Sequence, residues 1–161
     1  MSEFDRTFML RCIELARKSW EKGDAPFGSL IARGEELISE GENEATTRIF
    51  EHAEIRALGN AQKKLNTSDL SGCTLYTSCE PCPMCSFMIR EYKISRVVYA
   101  LPSPFMGGHT KWPILQDEEL DQFPPFFHKP PEVIGGYLEA ESKAIMDDTP
   151  FWMFGSDPKQ R

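Results

Sequence analysis

A histidine and a group of cysteines stand out in this sequence as candidate metal ligands. The heptapeptide HAEIRAL starts at His52, and the octapeptide SCEPCPMC contains Cys79, Cys82 and Cys85. Imidazole nitrogens and cysteine thiolates are ligands that zinc and iron–sulfur clusters take in proteins. Three kinds of site are therefore open: a closed structural zinc site with four ligands, an iron–sulfur cluster, or an open zinc site with three ligands.

The cysteine spacing disfavours an iron–sulfur cluster. A ferredoxin-type run continues to a fourth cysteine followed by proline, whereas the third cysteine here is followed by SFMIREYK. The remaining cysteines, Cys12 and Cys73, lie earlier in the chain. An odd total of five cysteines, with three of them inside seven residues, favours metal binding over a disulfide framework. We therefore predict zinc as the metal and a cytoplasmic setting for the protein.

Helix geometry suits Cys82 and Cys85 as a pair of ligands. They stand three apart in a predicted helix, 81–93, that a proline opens, and residues at this spacing share one face. The positive end of the helix dipole favours the thiolate forms that bind metal. Cys79 falls at the end of a predicted strand and before Pro81, which argues against a closed site but does not exclude it.

Glu54 gives the stronger argument for an open site. Residues two apart do not share a face of a regular helix, so His52 and Glu54 meet at one site only if His52 lies at or just before the helix start. A carboxylate beside an open zinc site can transfer protons between water and substrate, whereas a closed structural site has no use for one. Taken alone, Glu54 is better explained as a solvated acid near a helix N-terminus, the usual place of such a glutamate.

The combined pattern is more specific than its parts. HAE is followed, 26 residues after Glu54, by EPCPMC, and this order fits the H-x-E and P-C-x-x-C signature of zinc deaminases. We therefore predict His52, Cys82 and Cys85 as zinc ligands, with water in the fourth position. Glu54 is the predicted proton shuttle, and Cys79 is a neighbour that does not bind the metal.

Alternating helical and strand patterns predict the elements that position these residues. Helical spacing of apolar residues and short apolar runs bounded by glycine or proline predict four helices and five strands. Their alternation in the latter part of the chain predicts an α/β fold, a three-layer α/β/α sandwich. The proline-rich segment 102–131 is long for a loop and is predicted to be functional or to carry a short helix. The predicted helices are 6–22, 53–66, 81–93 and 139–148, and the predicted strands are 28–34, 36–43, 73–78, 95–101 and 132–138.

Composition limits the classes of protein. The 161 residues fit a single domain, 1–161. The net charge of -7 argues against a nucleic-acid partner, because phosphate contacts need lysine and arginine. No apolar run approaches the length of a transmembrane helix, and the first residues lack the apolar stretch of a secretory signal. We therefore expect no association with a membrane.

Five stretches, taken in order, resemble one known family. DAPFGSLI, GEN, HAEIRAL, TLYTSCEPCPMC and RVVYA, between about Phe8 and about Leu101, resemble the cytidine deaminase-like superfamily of zinc deaminases. The most similar branch contains guanine deaminases, tRNA adenosine deaminases and fungal cytosine deaminases. The resemblance implies a central five-stranded mixed sheet, with zinc held at the N-termini of two helices, and a homodimer whose partner helps to shape the pocket. It ends after Leu101, where His109 and His128 are expected to be loop histidines.

The resemblance also implies contacts with a bound base. Asn43 would hydrogen-bond the base, Phe105 would stack on it, and the C-terminal aromatic segment around Trp152 would close over it. Ordinary structural roles compete at these positions: a turn asparagine, a loop anchor and a tail docked on the core. The backbone near Glu80 would accept from the amine, and the Ala53 amide would bind the oxygen. The residues implied to contact substrate are Pro26, Phe27, Asn43, Ala53, Glu80, Phe105 and Trp152.

The predicted activity is zinc-dependent hydrolytic deamination of a free nucleobase or small nucleoside, with release of ammonia. Guanine is the first choice because LYTSCEPCPMC looks most like guanine deaminases, and cytosine is the close alternative. A tRNA adenosine deaminase is disfavoured by the acidic charge. A non-catalytic zinc-binding module is the alternative from another class, and the presence of Glu54 argues against it.

Overall fold

Five strands and four α-helices make up residues 1–148, the part of the chain that the computed structural model describes. None of these helices combines the length and the apolar character needed to cross a membrane. The strands are β1 (Gly28–Arg33), β2 (Glu36–Glu42), β3 (Thr74–Cys79), β4 (Arg96–Leu101) and β5 (Glu132–Ile134). The helices are α1 (Glu3–Glu21), α2 (Ala53–Leu65), α3 (Pro83–Glu91) and α4 (Glu139–Asp148), with short 3₁₀ helices at Ile114–Gln116 and Glu118–Gln122.

The strands form one mixed sheet in the order β2-β1-β3-β4-β5. β1 pairs antiparallel with both β2 and β3, and the tight hairpin between β1 and β2 turns at Gly34 with a φ of 58°. β3, β4 and β5 are parallel, so their connections are long crossovers: α3 joins β3 to β4, and the segment with the two 3₁₀ helices joins β4 to β5. The predicted five-stranded mixed sheet is therefore confirmed.

Each face of the sheet carries its own apolar core. Successive side chains of a strand point to opposite faces: in β1, Leu30 joins the core beneath α1 and α4, whereas Ile31 joins the core beneath α2 and α3. Val98 and Val97 repeat this division in β4. Helices thus cover both faces, which confirms the predicted three-layer α/β/α sandwich and explains why the central strands β1, β3 and β4 are buried along almost their whole length.

Several predicted boundaries differ from the structure, and two of these differences change where the chain turns. α3 begins at Pro83, two residues later than predicted, because Cys82 keeps the extended backbone of an N-cap residue, with φ −69° and ψ 171°. β5 ends at Ile134, earlier than predicted, and Gly136 then turns the chain with a φ of 78°. The first difference matters for function, since it places one predicted ligand just outside its helix.

A single buried arginine of α3 holds the segment between β4 and β5. Arg90 is 2% exposed, so its charge needs partners from within the protein. The two 3₁₀ helices of this segment confirm the short helix predicted there and bring carbonyl groups to the guanidinium. Arg90 donates to the backbone oxygens of Ile114, Asp117 and His128 and to the carboxylate of Asp121.

Gly41 sets the position of the start of α2. A Cβ atom at this residue would lie 2.3 Å from the carbonyl oxygen of Ala53 and 2.7 Å from the backbone nitrogen of Ala57. Real side chains do not tolerate such distances, so only glycine lets β2 approach the first turn of α2 this closely. The sequence GEN therefore determines where the HAE motif lies.

We predict that Gly41→Ala lowers the free energy of unfolding by roughly 1–3 kcal/mol, the usual cost of overpacking. The matched control is Gly59→Ala, because a Cβ at Gly59, inside α2, meets no atom within 4 Å. The control should be more stable than the original chain by about 0.5–1 kcal/mol, since alanine is the better helix former. Urea unfolding of the three proteins measures both effects, and equal stability of the two variants would contradict the proposed steric role.

Candidate metal and catalytic centre

The ends of two helices bring the predicted ligands together. His52 is the N-cap residue of α2, with φ −68° and ψ 153°, and Cys82 is the N-cap residue of α3. Neither side chain caps its own helix, so both remain available to a metal. Cys85 follows in the first turn of α3, where Pro83 is tolerated because that turn needs no backbone donor. His52 thus lies just before its helix.

The distances between the ligand atoms fit a tetrahedral zinc ion. Nδ1 of His52 lies 3.6 Å from Sγ of Cys82 and 3.5 Å from Sγ of Cys85. Zinc bonds of about 2.3 Å to sulfur and about 2.0–2.1 Å to nitrogen, at a tetrahedral angle, separate the two atoms by roughly 3.6 Å. Within residues 1–148 these three are the group of histidine, cysteine and acidic side chains that converges as a candidate metal site. Two thiolates and a neutral imidazole also balance the charge of a dication.

The local environment favours a thiolate at Cys82. A hydrogen bond from the Cys85 thiol lowers the pKa of Cys82 to about 4, and the neighbouring His52 adds to this effect. The same hydrogen bond, together with burial, raises the pKa of Cys85. The positive ends of α2 and α3 both point at the site, which further stabilises negative ligands. The surroundings of Cys82 therefore favour the thiolate form that binds a cation.

Glu54 lies beside the ligands without joining them. Its side chain is buried, which excludes the role of a solvated helix acid. One carboxylate oxygen accepts from the Thr77 hydroxyl at 3.1 Å, and the other lies 3.6 Å from Sγ of Cys85. Burial raises the pKa of Glu54, and the negative charge of Cys82 raises it further. The sequence did not mark Thr77 as a site residue. The only feature that could have done so is its polar side chain in a strand that is buried along nearly its whole length.

Cys79 stays outside the ligand group. It ends β3 and is buried, and burial raises the pKa of its thiol well above the ordinary value. Its sulfur does not meet the ligand atoms of the converging group, although the residue lines the neighbouring cavity. The structure therefore brings together three ligands and an acid, the arrangement of an open site.

A cavity of about 150 Å³ adjoins the ligands and Glu54. Of the residues implied to contact substrate, Asn43, Phe27 and Glu80 line it. Its full lining consists of Ala25, Phe27, Asn43, Ala45, His52, Glu54, Cys79, Glu80, Cys82 and Ser103.

The other implied substrate contacts lie elsewhere. Pro26 and Ala53 are buried next to the site but do not line the cavity. Phe105 is 49% exposed and also does not line it, so a stacking role for this ring has no support in the structure. Trp152 lies outside the described residues. These assignments stay predictions.

Glu80 has a structural role that the sequence did not reveal. Its buried carboxylate accepts from the backbone amides of Ser103, His109 and Thr110 at 2.7–3.1 Å, and from the Thr110 hydroxyl. A Cβ at Gly107 would lie 2.3 Å from this carboxylate, so the loop wraps it closely. Glu80 thus ties the loop after β4 to the ligand-bearing turn and brings Ser103 to the cavity.

Comparison with known families agrees with this geometry. Residues 2–101 match the model of the cytidine and deoxycytidylate deaminase zinc-binding region. The chain belongs to this deaminase family. The match covers β1 to β4 with α1 to α3, which together carry the three ligands and Glu54, and it supports zinc as the cofactor and hydrolytic deamination as the reaction.

Relatives in this family act on different bases. The tRNA-specific adenosine deaminase of Bacillus subtilis is 34% identical over 145 residues, which are 88% of this chain and 86% of that protein. A probable cytosine deaminase of Schizosaccharomyces pombe is 33% identical over 94% of both chains. The guanine deaminase of Bacillus subtilis is 41% identical over 97 residues, 58% of this chain and 62% of that protein.

Solved structures share the fold. A structure from a study of tRNA deaminases that edit the wobble position matches with a TM-score of 0.73 and 27% identity, over 87% of this chain and 99% of that one. The guanine deaminase of Nitrosomonas europaea matches with a TM-score of 0.68 and 27% identity, over 88% and 81%.

Removal of one ligand should separate the open site from the closed one. We predict that the purified protein carries about one zinc per chain, that Cys82→Ser loses most of it, and that Cys79→Ser keeps it, because only Cys82 belongs to the ligand group. Elemental analysis by mass spectrometry gives the metal content of each variant. Loss of zinc from Cys79→Ser would instead establish a site with four ligands.

Proposed function

We propose that the chain, 1–161, is a single-domain hydrolytic deaminase of a free nucleobase or small nucleoside, with guanine as the first candidate. The observation that carries the proposal is the position of Glu54: a buried carboxylate 3.6 Å from a ligand sulfur, at the cavity and outside the ligand group. A structural zinc module has no use for such a carboxylate.

The chemistry replaces an amino group by an oxygen. When bound to His52, Cys82 and Cys85, zinc supplies the Lewis acidity that makes water nucleophilic near neutral pH. Glu54 takes a proton from the attacking water and delivers protons to the ring nitrogen and to the departing amine. Water and the amidine group of the base become a ring carbonyl and ammonia, so protons are moved and none is consumed.

Charge around the cavity supports a small substrate. Three basic side chains, one in α2 and two before Asn43 and His52, already have acidic partners: Lys22 bonds Glu42, Arg48 bonds Glu51, and Arg56 bonds Glu44 and Glu51. A polyanion such as tRNA needs cations that are free to neutralise phosphates. Because the chain is also similar to tRNA adenosine deaminases, any substrate assay must include an RNA stem-loop.

Two observations rank the candidate bases. The guanine deaminase of Bacillus subtilis is 41% identical to this chain, against 33% for the probable cytosine deaminase, and the guanine deaminase of Nitrosomonas europaea shares the fold. The probable cytosine deaminase aligns over 94% of this chain, including most of the segment after β4 that shapes one wall of the cavity. Guanine therefore stays first and cytosine second.

An assay of ammonia release tests the proposal. Guanine, adenine, cytosine, their nucleosides and a tRNA anticodon stem-loop are compared at equal enzyme, and we expect fastest turnover of one of the small substrates. The matched control is zinc-loaded Glu54→Gln, which should keep its metal and lose ~10²–10⁴ in rate, the usual contribution of general acid–base catalysis. Preference for the stem-loop would refute the small-substrate proposal, and near-normal turnover by Glu54→Gln would refute the mechanism.

We also propose that the deaminase forms a homodimer and works in the cytoplasm. Exposed apolar side chains flank both ligand-bearing helix starts: Ile49 and Phe50 precede His52, while Met84 and Phe87 share a face of α3. Such a surface is typical of an interface with another chain, and a second copy seated there would cover the rim of the cavity.

Analytical ultracentrifugation tests the dimer. The protein should sediment at twice the chain mass, and Phe87→Glu should shift it to the monomer, because a charge cannot be buried in an apolar interface without a partner. Leu10→Glu, at a comparably exposed apolar position on α1 across the sheet, is the control and should leave the mass unchanged. A wild-type monomer at assay concentrations would refute the proposal.

A further inference from the structure

Asn43, which lines the cavity, is held by hydrogen bonds to three other residues. Its backbone nitrogen donates to the carbonyl oxygen of Phe27, and its own carbonyl oxygen lies 2.8 Å from the Ser19 hydroxyl. Its side-chain nitrogen donates to Oδ1 of Asp24 at 2.7 Å. The side chain is therefore fixed in position by Asp24 and by no other described residue.

The Asp24 carboxylate acts only as a hydrogen-bond acceptor. The buried carboxylate receives four hydrogen bonds: from the Asn43 amide, from the backbone amides of Ala25 and Thr46, and from the Thr46 hydroxyl. Burial alone would raise the pKa of Asp24, but the hydrogen bonds from Thr46, Ala25 and Asn43 outweigh it and lower the pKa. An ionised carboxylate has no proton to donate, so it can pair only with the nitrogen end of the Asn43 amide.

This pairing decides which end of the amide the cavity receives. An asparagine amide presents an acceptor oxygen and a donor nitrogen, and its orientation follows from its hydrogen-bond partners. With the nitrogen bonded to Asp24, the oxygen Oδ1 has no donor among residues 1–148. A bound molecule that places an N–H group against Asn43 satisfies that oxygen, whereas a carbonyl or an unprotonated ring nitrogen there would face it unpaired.

We infer that Asp24 is a positioning residue for base recognition: its carboxylate orients the Asn43 amide so that the cavity presents a carbonyl oxygen, which accepts a hydrogen bond from an N–H group of the base. The inference rests on the proposed function and adds to it a specificity rule. A substrate must present an N–H donor at the edge that meets Asn43. Asp24 does not line the cavity, so it acts on the substrate only through the orientation of the Asn43 amide.

Steady-state kinetics of Asp24→Asn test the rule. An amide at residue 24 can pair with either end of the Asn43 amide, so the orientation is no longer imposed. We expect KM for the preferred base to rise about tenfold or more, because binding would lose a buried hydrogen bond or leave a buried polar group without a partner. The value of kcat should change much less, and zinc content should stay the same, because Glu54 and the ligands are untouched.

The matched control is Asp69→Asn, which makes the same chemical change at an exposed aspartate that accepts from the Ser71 backbone and hydroxyl. Its KM should equal that of the original chain. Thr46→Val and Thr46→Ser supply a second pair if Asp24→Asn folds poorly. Removal of the Thr46 hydroxyl from Asp24 should raise KM, and serine, which keeps the hydroxyl, should restore it.

A measurement that needs no turnover separates this inference from the proposed function. In nuclear magnetic resonance spectra, the Asn43 side-chain amide protons should exchange slowly with water in the original chain and quickly in Asp24→Asn. Fast exchange in the original chain, or unchanged KM in well-folded, zinc-loaded Asp24→Asn, would overturn the inference. If the original chain releases no ammonia from any base, the proposed function fails, and the exchange rates still decide whether Asp24 orients Asn43.

Discussion

The candidate site exists only because the N-termini of α2 and α3 meet. Three ligand atoms within 4.8 Å of one another come from the residue before α2 and from the start of α3, about thirty positions apart. Close backbone contacts hold each start in place. Gly41 admits the first turn of α2 against β2, and the Gly108 amide donates to the Pro81 carbonyl oxygen at 2.7 Å just before α3. Two glycines therefore help to fix the positions of the candidate ligands.

Three buried carboxylates around the cavity differ in how well they are satisfied. Asp24 and Glu80 each accept hydrogen bonds from four donors, which leaves their carboxylates little capacity for other partners. Glu54 receives one from a hydroxyl and has a thiol at 3.6 Å, and burial raises its pKa. Full hydrogen bonding suits a carboxylate that holds structure, whereas the least satisfied of the three is the one free to exchange protons.

The segment after β4 is tied to the residues around the candidate site. The family match ends at Leu101, yet Glu80 binds the following loop and places Ser103 in the cavity wall. Arg90 anchors the more distant part of the segment through backbone oxygens, an interaction that depends little on which side chains surround it. A common catalytic centre can therefore carry different segments here, which is consistent with relatives that act on adenosine in tRNA, on guanine and on cytosine.

Short-range patterns were enough to predict the elements, the three candidate ligands and Glu54: helical and strand periodicity, and the HAE and PCPMC motifs at the starts of two helices. The other features depend on the tertiary structure. It placed Phe105 at the surface, made Glu80 an anchor for a loop, and set Asp24 behind Asn43. Each of these depends on contacts between residues about twenty or more positions apart, or on burial. Such pairings arise from the packing of elements against one another, and no local pattern of residues encodes them.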